Sequence, residues 1–195
     1  MKNINLLLVE HSQLESERLI LRPVLLDDAE DMYEYTSDEE TTRFLYEPHK
    51  DLNQTKSVIA NYFIKESIGK YAMVLKETGK MIGAIEFRVH DYNKSGELGY
   101  TVNRHYWGKG YATEAGRLIL ELAFDILDLE RVFAEYEVGN SASGKLLSRL
   151  GMKHEANLRR NHMVKGVLVD SAYCSILKEE YVDSKEKHVE GTIQA

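Results

Sequence analysis

The chain has one cysteine, two prolines and one tryptophan in 195 residues, and no stretch approaches the ~18 consecutive apolar residues of a membrane span. The lone cysteine, Cys174, excludes an internal disulfide and a cysteine-based zinc cage, and suits a reducing compartment. Positive charge is in deficit. Lys and Arg number 25 against 32 Asp and Glu, a formal net charge of -7, so the chain has no long-range attraction for a phosphate backbone. Nucleic acid is a poor partner on that account; a negative field favours cationic amines or basic peptide ends, with solubility alone as the blander reading. The seven histidines, His11, His49, His90, His105, His154, His162 and His188, never recur at ligand-helix spacing, so no metal and seven surface histidines are expected. The apolar patch ending at Val9 is cut off by Glu10 and His11 before a signal-peptide core can form. The expected compartment is the cytoplasm, with no membrane partner.

What is present fits one globular domain, with 43% hydrophobic and 29% charged residues able to bury a substantial core. Glu17 to Pro23 alternates apolar and polar side chains and stops at proline, as a half-buried strand does. Asp27 and Asp28 open a helix carrying Ala29, Met32, Tyr33 and Tyr35, and a second helix is expected from Asn53 to Ser67. From Tyr71 the period becomes two. Strands over 71–75 and 81–87 flank the hairpin turn Thr78-Gly79-Lys80, and a strand from Glu97 to Val102 follows a turn at Asn93-Lys94-Ser95-Gly96. Such short connections make an antiparallel meander, unlike the strict alternation of a doubly wound fold. The segment from Tyr111 to Leu127 sets Ala112, Ala115, Leu118, Ile119, Leu122, Ala123 and Ile126 on one helical face. A strand over 131–138, a short helix from Asn140 to Leu150 stopped by Gly151, and strands over 153–160 and 167–177 complete an α/β fold with a mostly antiparallel, twisted sheet. Cys174 falls in the last strand as a buried, inert thiol.

Two segments join a strand to a helix through glycines. In Tyr106-Trp107-Gly108-Lys109-Gly110-Tyr111-Ala112-Thr113-Glu114, bare amides at the start of the longest amphipathic helix suit an anion. A dinucleotide fingerprint would need a third glycine at Thr113 and parallel strands, and a plain tight turn is the bland alternative. In Gly139-Asn140-Ser141-Ala142-Ser143-Gly144-Lys145-Leu146, seven positions fit a P-loop, but Leu146 replaces the Ser or Thr that would hold magnesium. The reading here is a helix capped by Asn140, with a P-loop nucleotide binder as its rival.

In order along the chain, Glu17 to Pro23, Gly96-Glu97-Leu98-Gly99-Tyr100, Tyr106 to Ala115, Asn140-Ser141-Ala142-Ser143, Leu150-Gly151-Met152 and Asp170 resemble the GNAT acetyltransferases. The likeness is to the branch that contains the RimJ and RimL ribosomal-protein N-terminal acetyltransferases. It covers about residues 14–180, leaving 1–13 as an N-terminal extension and 181–195 as a flexible C-terminal tail. The resemblance implies an acetyl-CoA-dependent N-acetyltransferase whose sheet splays between the strands at 97–102 and 131–138 to admit the coenzyme.

By the same resemblance, Gly108, Lys109, Gly110, Tyr111, Ala112 and Thr113 hold the acetyl-CoA pyrophosphate, and Tyr100, Thr101 and Val102 pair with the pantetheine arm. Asn140 and Ser143 then lie near the thiol. Many relatives carry an acid tyrosine four residues before the glycine of a Gly-Phe pair. Here that position is Leu147 and Met152 replaces the Phe, so the acid role falls to Ser143 or to solvent. Glu97 is the candidate general base and Glu86 its alternative, with a solvent-facing strand residue as the bland reading of either. A backbone amide at 100–102 would hold the oxyanion. An α-amine, with a pKa near ~8, needs little help to become neutral, whereas lysine near ~10.4 needs more. The acceptor implied is a protein N-terminus. Amino acid, polyamine and aminoglycoside amines stay open, as does a non-catalytic acetyl-CoA-binding module. Direct transfer in a ternary complex, no metal and a homodimer complete the expectation.

Overall fold

Gly79 takes a left-handed φ of +71°, and the turn it allows folds Lys70–Leu75 back on Met81–His90; repeated short reversals of this kind build the sheet. A computed structural model describes residues 3–193, with side chains to residue 186. Its strands are Leu14–Glu15 (β1), Leu19–Pro23 (β2), Lys70–Leu75 (β3), Met81–His90 (β4), Ser95–Val102 (β5), Arg131–Glu137 (β6), Lys153–Val164 (β7) and Val167–Leu177 (β8). They form one sheet in the order β1-β2-β3-β4-β5-β6-β8-β7. Neighbours are antiparallel except β5 and β6, which are parallel and pair only at Ser95↔Arg131, Gly96↔Val132 and Glu97↔Phe133. Beyond Glu97 the two strands part. β5 stays paired to β4 as far as Val102, and β6 stays paired to β8 as far as Glu137, so the sheet opens as a V at its middle, the splay anticipated from the resemblance.

The helices are Ile4–Glu10 (α1), Ala29–Thr36 (α2), Leu52–Val58 (α3), Tyr111–Glu121 (α4), Ser141–Arg149 (α5) and Lys178–Ile193 (α6). α3 and α4 each run on into wider π-helical turns, Ile59–Ile64 and Leu122–Ile126. One face of the sheet packs Leu19, Ile85, Phe87, Leu98 and Val132 against Ala115, Ile119 and Leu147 of α4 and α5. The other packs Val74, Met81 and Ala84 against Met32, Tyr35, Ile59 and Phe63 of α2, α3 and its extension. α4 and α5 approach closely because Gly116 has no side chain: a Cβ there would lie 2.6 Å from Leu150 Cδ1.

Four expectations are corrected. The turn after β4 is displaced, because β4 continues to His90 and reverses through Asp91–Asn93 with Lys94 left-handed at φ 47°; Ser95 and Gly96 therefore belong to β5. The first thirteen residues include α1, capped by Asn3 Oδ1 on the Leu6 amide at 3.1 Å, with Ile4 and Leu8 buried in the core. The tail does not loosen at 181. α6 begins at Lys178 and seats Tyr181 on Phe124, ring centroids 4.8 Å apart, with its hydroxyl donating to Asp125 at 3.0 Å. His49 is buried rather than exposed, its Nδ1 2.8 Å from Thr55 Oγ1. Cys174 is buried on β8. Among the described residues no helix is long and apolar enough to cross a membrane, and no group of three or more His, Cys, Asp or Glu is placed to hold a metal.

Candidate active site

The glycine loop between β5 and α4 is fixed at its start by Trp107, whose Nε1 donates to the Val102 carbonyl at 2.7 Å. Gly108 and Gly110 take φ +75° and +83°, a left-handed conformation that glycine alone adopts cheaply. A Cβ on Gly108 would meet nothing within 4 Å, so the loop faces open space. Gly110 is the N-cap of α4 and supplies no side-chain acceptor, which leaves the first-turn amides of Tyr111, Ala112 and Thr113 without a capping side chain. The junction before α5 is closed by contrast. Asn140 Oδ1 accepts from the Ser143 amide at 3.2 Å, and a Cβ on Gly144 would fall 2.7 Å from the Tyr136 hydroxyl. Of the two glycine segments, the first has no side chain capping its first-turn amides and suits an anion better, whereas Asn140 caps the second.

The first turn of α4 is tied to the distant turn between β1 and β2. Glu114 accepts from Ser16 Oγ at 2.6 Å, the Arg18 amide at 2.9 Å and Arg18 Nε at 2.7 Å. Arg18 also donates from Nη1 to the Lys109 carbonyl at 3.1 Å and lies over the Tyr111 ring at 4.5 Å. Sequence reading missed this clamp, because partners 96 residues apart leave no local signature. Burial alone would raise the Glu114 carboxyl, but Ser16 and Arg18 outweigh it and hold the group below the usual carboxylate range. A folded pKa depressed in this way adds stability above the unfolded value of ~4.3, and that stability is lost as pH falls through the folded pKa. Glu114→Gln is therefore expected to melt roughly 3–10 °C below wild type at neutral pH, from ~1.5–3 kcal/mol of charged hydrogen bonding. The two melting temperatures should converge as pH falls through the depressed folded pKa, and a gap independent of pH would contradict the assignment.

A cavity of about 770 Å³ runs into the V between β5 and β6. Alternation along the strands sorts its lining onto two sides. On the α2 and α3 side stand Glu86 of β4, Glu97 of β5, and Glu135 and Glu137 of β6, with Glu47 from the loop beyond α2; the one guanidinium among the lining residues is Arg88. Arg88 Nη2 lies 3.1 Å from Glu86 Oε2, and its Nη1 lies 3.4 Å from Glu97 Oε2. The Tyr62 hydroxyl donates to the same Glu86 oxygen at 2.5 Å. Both candidate bases thus share one cation. Glu135 accepts from Ser171 Oγ at 2.6 Å and Asn161 Nδ2 at 2.9 Å. Burial pushes its carboxyl up, and donors from Ser171, Tyr173 and Asn161 bring it below the usual range.

On the α4 and α5 side stand Tyr100 and Ser143. Burial pushes the Tyr100 phenol up to about 12, and its oxygen has no hydrogen-bond partner in the protein. Glu97, Tyr100, Thr101, Asn140 and Ser143 thus meet at one cavity. Val102 is buried in the core behind it, while Gly108 to Thr113 lie past the end of β5. Leu147 is buried in the core and has no polar group to contribute. Uncapped amides in the loop that follows β5, together with the parted strand edges, suit an elongated ligand with an anionic end, as acetyl-CoA is.

Residues 18–153 match the acetyltransferase (GNAT) domain. The chain is 35% identical over 173 residues to the uncharacterized N-acetyltransferase p20 of Bacillus licheniformis, a match covering 86% of this chain and 97% of that protein. A Bacillus subtilis protein provisionally named a ribosomal N-acetyltransferase is 34% identical over 108 residues, 55% of this chain and 59% of its own length. The crystal structure of a GNAT-family acetyltransferase from Bacillus anthracis superposes with a TM-score of 0.78 at 25% identity, over 86% of this chain and 99% of that one. With sequence and fold matched over these lengths, the chain belongs to the GNAT family and is an N-acetyltransferase that uses acetyl-CoA as its cosubstrate.

Proposed function

We propose that the acceptor is the α-amine of a basic peptide or protein N-terminus, and that transfer is direct within a ternary complex. The acidic side of the cavity carries this reading. Five carboxylates, Glu47, Glu86, Glu97, Glu135 and Glu137, surround one guanidinium, and a field of that sign concentrates cations. Because Glu86 and Glu97 are both committed to Arg88, an amine that is substantially neutral near pH ~8 suits the site better than a lysine that ionises near ~10.4. The partial match to the provisionally named ribosomal N-acetyltransferase supports the same acceptor class.

In this reading the amides and glycines of Gly108 to Thr113, Lys109 included, hold the coenzyme pyrophosphate. The β5 backbone at Tyr100, Thr101 and Val102 pairs with the pantetheine arm, one amide there facing the oxyanion. Asn140 and Ser143 border the thiol, and Glu97, directly or through water, takes the amine proton, with Glu86 as its substitute. Two measurements test this. Calorimetry should give micromolar acetyl-CoA affinity and none for magnesium-ATP; the reverse would move the phosphate to Gly139 to Lys145. Mass spectrometry of mixtures containing basic peptides with free or blocked N-termini, spermidine and an aminoglycoside should find the acetyl group on the free α-amine. Acetyl on spermidine or the aminoglycoside instead would make the acceptor a small polycation. Glu97→Ala should lower kcat by roughly 10²–10⁴-fold with little change in acetyl-CoA affinity; unchanged turnover would remove Glu97 from the mechanism. A homodimer is the assembly the resemblance implies, and sedimentation velocity distinguishes it from a monomer.

A further inference from the structure

Two carboxylates on neighbouring strands line the acceptor side, and their surroundings differ. Gly99 lies opposite Glu86 in the β4–β5 pairing and two residues beyond Glu97 on the same face of β5; a Cβ there would meet nothing within 4 Å, so open space lies beside both carboxylates. Glu86 Oε2 accepts from the Tyr62 hydroxyl at 2.5 Å and from Arg88 Nη2 at 3.1 Å. Among the described residues the donor to Glu97 is Arg88 Nη1, 3.4 and 3.5 Å from its two oxygens, at the outer limit of hydrogen-bond geometry. The Glu97 side chain is also the more exposed, 28% against 18% for Glu86. Tyr62 makes the difference. It lies in the π-helical turn Ile59–Ile64 that extends α3, a wider turn of a kind frequent at functional sites. Lys70, buried and paired with Glu86 across β3 and β4, sets its ammonium 3.6 Å over the centre of the Tyr62 ring and donates to the Tyr62 carbonyl at 2.7 Å. Phe63 meets the ring edge-on, centroids 5.1 Å apart, and Arg88 Nη2 donates to the phenolic oxygen at 3.2 Å. Burial and the neighbouring Glu86 hold the Tyr62 phenol above its usual value, so the hydroxyl stays protonated and stays the donor.

We propose that Tyr62 is a positioning residue of the acceptor side: by holding Glu86 and anchoring the Arg88 guanidinium, it keeps Glu86 out of the proton transfer and leaves Glu97 as the carboxylate that takes the amine proton. This rests on the carboxylate chemistry described under Proposed function. A hydroxyl bonded to a carboxylate at 2.5 Å makes a charge-assisted bond, about twice as strong as a neutral one. Moving toward an amine beside Gly99 costs Glu86 that bond, whereas Glu97 gives up only long contacts. The acceptor ammonium gives a proton to Glu97, the freed lone pair on nitrogen bonds the acetyl carbonyl carbon, and the C–S bond breaks with its electron pair going to sulfur. The nitrogen then sheds its surplus proton to solvent, from which the thiolate takes one. Tyr62 keeps its own proton throughout and acts only through Glu86 and Arg88.

A cycle of variants tests this, with turnover followed as CoA release on whichever amine of the mixtures above is acetylated. Glu97→Gln in the native background should lower kcat by roughly 10²–10⁴-fold. Tyr62→Phe keeps the ring on Lys70 and releases Glu86; Tyr62 is 37% exposed, so the folded protein tolerates the change. In that background Glu97→Gln should cost at least about tenfold less, because Glu86 now stands in for it. Adding Glu86→Gln to the double variant should remove what was recovered. Acetyl-CoA affinity, measured by calorimetry, should stay within about threefold of wild type throughout. A residue that merely packs the end of α3 would leave the cost of Glu97→Gln the same in both backgrounds, and equal costs overturn the proposal while leaving Glu97 as the base. Full turnover by Glu97→Gln in the native background overturns both that base and the role of Tyr62, and so does a wild-type protein that releases no CoA with any of these amines.

Discussion

Alanine at both Gly108 and Gly110 is expected to weaken acetyl-CoA binding by roughly 30- to 1000-fold. Both glycines hold a left-handed backbone, at φ +75° and +83°, which costs an L-residue ~1–2 kcal/mol each. The loop is exposed, so in the free protein the alanines relax to an ordinary conformation and the melting temperature changes little. Binding then has to restore both residues to the strained form, and the combined ~2–4 kcal/mol appears as lost affinity. Calorimetric titration of the double variant decides the matter. Unchanged affinity would mean that the phosphates lie elsewhere, and a large fall in melting temperature would mean that the loop cannot relax.

The second large effect is on stability. A Cβ on Gly96 would fall 2.1 Å from Phe87 Cζ, and Phe87 is fully buried with no room to retreat. Gly96→Ala should cost ~1–3 kcal/mol from overpacking, a fall of about 3–10 °C in melting temperature for a chain of this size. Because Gly96 is also the middle of the three pairs that join β5 to β6, the damage falls where the two arms of the sheet are held together. Phe87→Leu in the same chain should recover part of the loss, since the two residues are in contact and couple. Purely additive losses in the double variant would count against the clash.

Local chemistry was legible wherever a single segment carries its own signal. Gly79 announces a hairpin, the seven apolar positions between Ala112 and Ile126 announce a helix, and Asn140 announces a cap, and all three appear where the pattern puts them. What escaped depends on contacts between distant segments. α1 is seven residues long, too short to show a helical period, and becomes a helix because the core receives Ile4 and Leu8. Tyr181 reads as the start of a polar tail until Phe124 is beside it. The clamp of Ser16 and Arg18 on Glu114 joins the start of the chain to its middle, which no spacing connects. At Tyr100 the sequence speaks for the backbone alone; alternation tells which face its ring takes, but only the folded arrangement with α5 shows that the hydroxyl goes unanswered. The same holds for the base: Glu86 and Glu97 are visible as strand carboxylates, and their common tie to Arg88 is not.

The parted strands have a further consequence for motion. A sheet normally ends at its outer edges, whereas here two bare edges, from Leu98 to Val102 on β5 and from Ala134 to Glu137 on β6, lie in the interior with amides and carbonyls that face no strand across the gap. Amide protons lining that gap should exchange quickly with solvent in the free protein, since little but water holds them. A pantetheine arm that bonds to them acts as a missing strand, and protection should rise there first. Under the proposed coenzyme placement, binding would mend the sheet and each release of product would tear it open again, so the pace of the cycle would be set partly by how firmly backbone holds backbone.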